Sequence, residues 1–367
     1  MLKPIHLKEG LRMFRRNINV RLKGMRRYDG NAEKICKQII KDCWNGAYLQ
    51  VSNGHFCEFY TRDFGFCCES LLKTGYKKEV ESSLRYALDI FTKNKRVTVA
   101  ISPNGKVFNF PNYYAVDSLP YLIRSLRLNN NKSLIENNLF FLNERVNGFM
   151  NIVIDKDTGL VRKDKVFSSM KDHSKRSSSC YDNVMVAMLN NELKKIKIID
   201  NPLKDYNFKK IIKENFWQDG YFLDDTSGEK YVAGDANVFP FWTGVFEETN
   251  MLKSAITAIQ DNDLDKPFPI KYTSSSVKEP AHIGAEIFAK DYERDSIWLH
   301  MGPLYVKIVK KVDRKKAAEY TELYRRLIEK HKNFLEVFDK DGKPFKSPFY
   351  YTDESMLWSS MFLDLVK

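Results

Sequence analysis

The sequence predicts an all-α protein, an (α/α)6 toroid built from six helical hairpins. Twelve segments of the 367-residue chain repeat their apolar residues with helical periodicity. These segments alternate between amphipathic helices rich in Lys and Glu and helices that are apolar on nearly every face. A hairpin containing one helix of each kind cannot bury its apolar face alone. Closure into a ring gives each hairpin a neighbour on both sides, which explains why the pattern predicts a toroid.

The predicted helices are separated by loops that carry Gly, Pro, Ser and Asp. The amphipathic kind is illustrated by residues 76–93 and the apolar kind by residues 235–246. The twelve predicted helices span residues 31–44, 63–75, 76–93, 115–130, 132–154, 180–197, 204–217, 235–246, 248–260, 296–310, 313–332 and 353–366. The apolar kind begins at fairly regular intervals, near Asp63, Asp117, Asp182, Asp235, Asp295 and Asp353.

Composition is compatible with one large domain. Apolar residues make up 43% of the chain, enough for a sizeable core, so we expect residues 1–367 to form a single catalytic domain. About thirty residues precede the first predicted helix and are expected to form a short N-terminal extension.

The formal net charge is +13, but Lys and Arg are spread along the chain and alternate with acidic residues. The densest basic runs, 15–27 and 310–316, are short and accompany no nucleic-acid-binding motif, so we expect no nucleic-acid partner.

The cysteines and the N-terminus indicate a cytoplasmic protein. The chain has six cysteines, and none lies in a CxxC pair or at a spacing typical of a zinc site. Residues 1–10 lack the apolar stretch of a signal peptide, and no apolar run approaches the length of a membrane span. The sequence therefore predicts a reduced, cytoplasmic protein with no metal site and no membrane partner. It leaves the oligomeric state open.

The aspartates near the starts of the apolar helices have two interpretations. Asp is a good N-cap, and the helix dipole stabilises a carboxylate at a helix N-terminus, which we expect to explain most of them. If the apolar helices are parallel, however, their N-termini meet at one mouth of the ring. The loops that enter them would then form a cleft rich in carboxylates and aromatic rings, which suits sugar chemistry.

The most specific segment is Phe59-Tyr60-Thr61-Arg62-Asp63, at the start of an apolar helix. Burying two charges among aromatic residues is costly unless they serve a purpose. A guanidinium and a carboxylate facing a cleft can bind neighbouring sugar hydroxyls, one by donating and one by accepting. The segment resembles the aromatic–Arg–Asp motif of glucoamylase-like and debranching-enzyme-like six-hairpin glycosidases, in which this pair binds the terminal sugar. The resemblance implies that Tyr60, Arg62 and Asp63 bind substrate.

Three further segments extend this resemblance along the chain. Val116-Asp117-Ser118 looks like the second inner helix of those enzymes, with Asp117 as a cleft residue or a cap. Gly234-Asp235-Ala236 resembles the start of the helix in the fourth repeat, and Asp235 is a candidate substrate ligand. The segment around Trp298 resembles the fifth repeat, where Trp298 is either a platform for a sugar ring or plain core.

The general acid is expected between residues 168 and 187. In related debranching enzymes a short aromatic–Met–Asp motif supplies the acid, and Asp172 occupies the equivalent place. Here Lys171 separates Met170 from Asp172, and the usual Trp is missing. Asp182, at the start of the following helix, is the competing candidate, with a helix N-terminal carboxylate as its plain structural explanation.

The general base is expected in the last repeat. Asn333-Phe-Leu-Glu336, followed by a loop with Asp and Gly, resembles the segment of glucoamylases in which a Glu acts as general base. Apolar residues surround Glu336, so we expect a buried carboxylate with a raised pKa. A surface Glu at the end of an outer helix is the alternative.

The resemblance implies a glycoside hydrolase that binds a carbohydrate, acts by inversion on an α-glucoside or oligosaccharide, and needs no cofactor. Two other classes remain open on the same scaffold. A sugar epimerase would need two histidines in the cleft, and only His173 and His300 are candidates. A non-catalytic carbohydrate-binding protein would keep the cleft without two carboxylates at a working separation.

Overall fold

The computed structural model describes residues 4–172, 174–274 and 289–367, and this part of the chain is mostly α-helical. Its helices are α1 Pro4–Lys23, α2 Ala32–Cys43, α3 Thr61–Thr74, α4 Lys77–Lys93, α5 Ser118–Asn129, α6 Lys132–Glu136, α7 Leu139–Val153, α8 Cys180–Ile196, α9 Phe208–Phe216, α10 Gly234–Trp242, α11 Thr249–Asp261, α12 Gly302–Lys310, α13 Arg314–His331 and α14 Ser359–Leu365. Its two-residue strands are β1 Phe59–Tyr60, β2 Ala100–Ile101, β3 Val107–Phe108, β4 Trp217–Gln218, β5 Tyr221–Phe222, β6 Ile297–Trp298 and β7 Val337–Phe338.

Six helices pack against one another in sequence order. Helix α3 contacts α5, α5 contacts α8, α8 contacts α10, α10 contacts α12, α12 contacts α14, and α14 returns to α3. These are the helices that the sequence predicts to be apolar on nearly every face. Helix α8, for example, buries every residue from Cys180 to Asn190, and α10 buries Gly234 to Phe241. Their mutual contacts explain this pattern, because a helix with neighbours on all sides has no face for solvent.

The amphipathic helices pack on the outside of these six. Helix α4 contacts α3 and α5, α9 contacts α8, α11 contacts α10, and α13 contacts α12. Helix α4 buries one stripe that includes Val80, Leu84 and Leu88 and leaves Lys77 and Lys78 exposed. The two predicted kinds of helix are thus confirmed. The buried apolar residues of both kinds form one continuous cluster that extends from Tyr28 to Leu365.

The close contact of α3 with α5 depends on Gly65. A Cβ atom at this position would lie only 2.4 Å from Cδ1 of Tyr121, a buried residue of α5. No larger residue can occupy position 65 unless the two helices move apart, so the glycine allows the tyrosine ring to pack directly on the α3 backbone. This contact brings the N-terminal turns of α3 and α5 together.

The aspartates near the helix starts do not make N-cap hydrogen bonds, but Asp63, Asp182 and Asp235 lie in the first turns of their helices, where the helix dipole is expected to stabilise a carboxylate. Asp117 occupies the N-cap position of α5 but makes no capping hydrogen bond. Helix α8 is capped by Ser179, which accepts from the Asp182 amide, and the N-cap positions of α3 and α10 are Tyr60 and Ala233. The carboxylates are therefore free to interact with side chains of other elements.

Four predicted segments differ from the structure, and one of them, predicted as a helix over 353–366, is helical only over Ser359–Leu365. The supposed N-terminal extension contains α1, a five-turn helix. The single helix predicted for 132–154 is broken at Asn137 and Asn138, where the Asn138 side chain donates to the carbonyl oxygen of Leu134 and so competes with the backbone. The predicted helix 296–310 begins only at Gly302, because residues 297–298 pair instead as a strand.

This strand pair, β6 with β7, builds one wall of the candidate site. Ile297 lies opposite Phe338 and Trp298 opposite Val337 in an antiparallel ladder. Next to the ladder, the Leu299 amide donates to the carbonyl oxygen of Glu336 at 3.1 Å, and the Glu336 amide donates to that of Asp353 at 3.0 Å. Glu336 is thus held between two extended segments. Among the residues described, no helix is both long and apolar enough to cross a bilayer.

Candidate active site

Arg62, Asp117 and Tyr181 form a buried cluster where α3, α5 and α8 begin. Nε of Arg62 donates to Oδ2 of Asp117, and the Tyr181 hydroxyl donates to the same oxygen at 3.0 Å. Within the described residues, Nη2 of Arg62 and Oδ1 of Asp117 have no hydrogen-bond partner. Buried polar atoms are rarely left unsatisfied, so this donor and acceptor are suited to a polar ligand.

Asp63 does not hydrogen-bond to its neighbour Arg62. Its Oδ1 accepts instead from the indole Nε1 of Trp358 at 3.0 Å, a residue of the last repeat. Burial raises the pKa of Asp63 to about 6, and the charge of Arg62 opposes this shift. The adjacent residues of the motif therefore have separate partners, and Asp63 connects the first repeat to the last.

Asp172 lies near the Arg62 cluster. Its backbone amide donates to Oε1 of Glu293 at 3.0 Å, and its Oδ1 accepts from the Ser168 hydroxyl at 3.4 Å. Burial raises the pKa of Asp172 well above its ordinary value, against the opposing charge of Arg62. The nearby carboxylates of Glu293 and Asp117 raise it further. This carboxyl group therefore keeps its proton to a higher pH than an ordinary Asp does.

Asp182, the competing acid, faces a different set of groups. Burial raises its pKa to about 6, and Arg176 is the principal opposing charge. Its Oδ1 has no hydrogen-bond partner among the described residues. A small cavity of about 20 Å³ lies beside it and is also lined by Ser169, Lys171 and Arg176.

Glu336 is fully buried and is surrounded by neutral donors. Its Oε1 accepts from the Tyr292 hydroxyl at 2.5 Å. Its Oε2 accepts from the Tyr350 hydroxyl at 2.5 Å and from the Asp353 amide at 2.9 Å. Burial, and then the nearby charge of Asp353, raise the pKa of Glu336 to about 7 despite these three donors. A carboxylate has about four lone-pair sites, so one remains on Oε1.

Asp353 is itself positioned by the first repeat. Its carboxylate accepts from the Ser52 hydroxyl and from the backbone amides of His55 at 3.0 Å and Phe56 at 3.1 Å. Gly54 has room for no side chain, because its Cβ would lie 1.8 Å from Oδ1 of Asp353. The turn at residues 52–56 therefore encloses one carboxylate and fixes the backbone amide that binds Glu336.

Four buried charged side chains form a group of ion pairs close to Asp172 and Asp182. They are Lys171, Arg176, Asp224 and Asp235. Nη1 of Arg176 donates to Asp235 at 2.7 Å and to Asp224 at 3.2 Å. Nζ of Lys171 lies 3.5 Å from Asp224 and 4.0 Å from Asp235. Burial alone would raise the pKa of Asp224. The positive charges of Lys171 and Arg176 outweigh this effect, so the pKa of this carboxyl group is lowered. Asp235, predicted to bind substrate, is thus engaged by protein cations, and Lys171, Arg176 and Asp224 were not predicted as site residues.

The predicted aromatic residues are packed into the walls. Trp298 is only 7% exposed, its Nε1 donates to the carbonyl oxygen of Tyr292 at 2.9 Å, and its ring packs edge-on against that of Tyr292. Tyr60 is partly buried and contacts Phe56 edge-on. His300 stacks on Phe66, and burial lowers its pKa to about 3, so it is neutral. His173, the second histidine considered for an epimerase, lies outside the described residues.

The structure brings most of the predicted site residues to one region, where α3, α5, α8 and α10 begin. The partners of Glu336 and Asp172, Tyr292 and Glu293, were missed, because no local pattern marks residues that act through distant contacts. A larger cavity of about 450 Å³ lies elsewhere, between the C-terminal half of α8 and the start of α9, and is lined by residues such as Asn190, Lys194 and Tyr206. It contains none of the predicted residues, so cavity size does not identify the site here.

Known glycosidases share this fold. The structure of a rhamnosidase from Klebsiella oxytoca with rhamnose bound superposes with a TM-score of 0.66 at 9% sequence identity. The match covers 90% of this chain and 62% of the rhamnosidase chain. For a glycosidase in complex with glucose, the match covers 100% of this chain and 98% of the glycosidase chain, with a TM-score of 0.64 and 10% sequence identity. For a GH63 mannosylglycerate hydrolase from Thermus thermophilus in complex with glucose, the match covers 92% of this chain and 99% of the hydrolase chain, with a TM-score of 0.63 and 10% sequence identity. No family model and no curated protein sequence matches the chain. The likeness lies in the fold.

Proposed function

We propose that this protein is a single-domain glycoside hydrolase built as a closed (α/α)6 toroid. The cyclic contacts of the six inner helices support the toroid. One observation carries the function: two consecutive residues contact both predicted catalytic residues. The Tyr292 hydroxyl donates to Glu336, and the side chain of Glu293 accepts from the Asp172 amide. One short segment therefore contacts Glu336 through a side chain and Asp172 through its backbone, which supports a site in which both residues take part.

Asp172 is the proposed general acid. A general acid must hold its proton until the leaving oxygen takes it, and the raised pKa of Asp172 supplies that proton. The open polar atoms of Arg62 and Asp117 suit hydroxyl groups of a sugar beside it. Asp182 is the alternative acid. Burial raises its pKa to about 6, with Arg176 of the buried ion-pair group as the principal opposing charge.

Glu336 is the proposed general base. With a pKa of about 7 it is ionised in a useful fraction of molecules near neutral pH, and its free lone pair can accept a proton from water. Attack of that water on the face opposite the leaving group gives inversion, which requires roughly 6.5–9.5 Å between the two carboxyl groups. The reaction needs no cofactor.

We propose an α-glucoside or a short oligosaccharide as the substrate class. Two proteins that share the fold are described in complex with glucose, and one of them is a mannosylglycerate hydrolase. The six cysteines are free thiols, which is compatible with the cytoplasmic location that we also propose.

The test is a screen of purified protein against α- and β-glycosides, with the anomer of the first product identified by NMR. Inverted product from an α-glucoside is the expected result. Asp172→Asn should lose activity on alkyl glycosides by roughly a hundredfold or more but retain much of it on aryl glycosides whose leaving group needs no proton. Asp182→Asn should lack this dependence on the leaving group, and Asp164→Asn, at an exposed carboxylate, is the matched control.

Each other outcome of the screen has a defined meaning. If Asp182→Asn rather than Asp172→Asn shows the leaving-group dependence, Asp182 is the acid. Sugar binding without turnover by the wild-type chain would reject hydrolysis and favour a carbohydrate-binding protein. Release of an epimerised sugar with no hydrolysis would favour an epimerase.

A further inference from the structure

Helix α1 attaches to the rest of the protein by its polar face. Nε2 of His6 hydrogen-bonds to the Asn109 carbonyl oxygen at 2.9 Å, and Arg16 pairs with Glu354 at 2.6 Å. Arg12 pairs with Glu58, Arg21 donates to the Ser347 carbonyl oxygen, and Asn17 donates to that of Pro348 at 3.2 Å. The buried residues of α1 are His6, Glu9, Asn17 and Val20. An amphipathic helix on a globular protein normally buries its apolar side, so this arrangement is reversed.

Although Val20 is buried and Ile5 packs against the body of the protein, five apolar residues of α1 point outward. They follow one another at spacings of three or four residues, so they form a single stripe on one face, about 22 Å long at 1.5 Å per residue. The exposed fractions are 62% for Leu7, 58% for Leu11, 41% for Phe14, 43% for Ile18 and 78% for Leu22. Isolated exposed apolar residues are ordinary, but a continuous stripe of this kind marks an interaction surface.

Free positive charges flank the stripe. Lys8, Arg15 and Lys23 are exposed, and none of the three has an ion-pair partner among the described residues. The one acidic residue of the helix, Glu9, is buried and pairs with Arg12. The exposed part of α1 therefore combines apolar residues with cations and offers no carboxylate. A second copy docking through the same face would oppose cations to cations, so charge complementarity favours a negatively charged partner.

We propose that the outer face of α1 binds the surface of a membrane that contains anionic lipids. The helix lies in the plane of the interface, with the stripe in the acyl boundary and the cations at the headgroups. Its polar face remains attached to the body of the protein, so the whole chain is held at the membrane. A helix that lies on a membrane does not need the length or the continuous apolar surface of a spanning helix. The inference does not depend on the proposed enzymatic activity.

The test is co-sedimentation of the full chain with vesicles of phosphatidylcholine, with or without phosphatidylserine. Binding is expected to the mixed vesicles, to weaken with added salt, and to be much weaker with phosphatidylcholine alone. The double variant Leu11→Ser/Phe14→Ser should lower the partition coefficient by roughly tenfold or more, since it removes two of the largest side chains of the stripe. Lys8→Gln/Arg15→Gln should lower it by a similar factor, through lost attraction to anionic headgroups.

Two control variants separate the stripe from general surface effects. Phe140 is 80% exposed on α7, and Phe140→Ser should leave binding unchanged. Lys77→Gln/Lys78→Gln removes two exposed cations of α4 and should also have no effect. Because every substituted side chain is exposed, unchanged circular dichroism and melting temperature should accompany each variant.

Three results would overturn the inference. The first is a wild-type chain that stays in the supernatant with every vesicle. The second is binding that both α1 variants retain in full. The third is a concentration-dependent dimer, detected by sedimentation equilibrium and abolished by Leu11→Ser/Phe14→Ser, in a chain that does not bind vesicles, which would assign the stripe to self-association.

Discussion

Two groups of buried carboxylates lie near each other in this protein and behave in opposite ways. The glutamate cluster consists of Glu336 with Tyr292, Tyr350 and Asp353, and the ion-pair cluster consists of Lys171, Arg176, Asp224 and Asp235. In the glutamate cluster, the donors to Glu336 are neutral, and its pKa rises to about 7. In the ion-pair cluster, two cations lower the pKa of Asp224 although it is equally buried.

The difference shows that burial alone does not decide the charge state of a carboxyl group. Neutral hydrogen bonds reduce the effect of desolvation on Glu336, whereas direct cations reverse it at Asp224. A group that must gain and lose a proton near neutral pH needs the first environment. A group that must stay charged to hold two segments together needs the second. The glutamate cluster is therefore suited to chemistry and the ion-pair cluster to holding the loop that carries Asp172.

Glu336→Gln tests the glutamate cluster most severely. An amide oxygen in the place of Oε2 can still accept from Tyr350 and Asp353, and the Tyr292 hydroxyl can turn to accept from the amide nitrogen. The fold should therefore persist, while hydrolysis falls by about 10²–10⁴-fold because the amide cannot take a proton from water. Turnover of the screened substrate and circular dichroism are the measurements. Near-normal turnover would reject Glu336 as the base.

Arg176→Met tests the ion-pair cluster. The substitution leaves Asp224 and Asp235 buried with only Lys171 to balance them, and it should lower the free energy of unfolding by about 3–5 kcal/mol. Urea unfolding followed by circular dichroism measures this value. Arg162→Met is the matched control, because Arg162 pairs with Asp164 on the exposed surface and such pairs add little to stability. Equal stability of the two variants would contradict a structural role for the cluster.

The pH dependence of stability should reveal the raised pKa of Glu336. The folded chain holds this proton up to about pH 7, whereas an ordinary Glu releases it near pH 4.5. The folded state binds more protons between these values, so this contribution to stability is complete below pH 4.5 and is lost as the pH rises to about 7. Relative to wild type, Glu336→Gln should gain unfolding free energy across this interval, up to about 3 kcal/mol. A constant difference at all pH values would show that the pKa is not raised.

The sequence could predict those features that depend on local patterns. The two kinds of helix follow from periodicity, and the buried setting of Glu336 follows from the apolar residues beside it. The spacing of Leu7, Leu11, Phe14, Ile18 and Leu22 was a readable helical signal. It was missed because the first predicted helix was placed at residue 31 and the residues before it were assigned to an extension.

Partners that come from other repeats could not be predicted. Tyr292 lies 44 residues from Glu336, and Lys171 lies 53 residues from Asp224. From the sequence alone, Lys171 is expected to be exposed to solvent. Only the tertiary structure brings Asp224 and Asp235 close to it, and their charges offset the cost of burying the lysine. The same reason explains why Asp117 was left as a cleft residue or a cap, since its partners Arg62 and Tyr181 lie on two other helices.

The smallest expected effect concerns a single hydrogen bond of the glutamate cluster. Tyr350→Phe removes one donor to ionised Glu336, which should raise the pKa of Glu336 further. Because the base must be ionised to act, the acidic limb of the pH–activity profile should move to higher pH by about one unit. Tyr206→Phe is the control, since its hydroxyl donates to the Lys156 carbonyl oxygen on the outside of the protein and should not affect the profile. If the acidic limb of the Tyr350→Phe profile stays in place or moves to lower pH, the ionisation of Glu336 does not determine the pH of that limb. The difference between the two clusters would then concern stability alone.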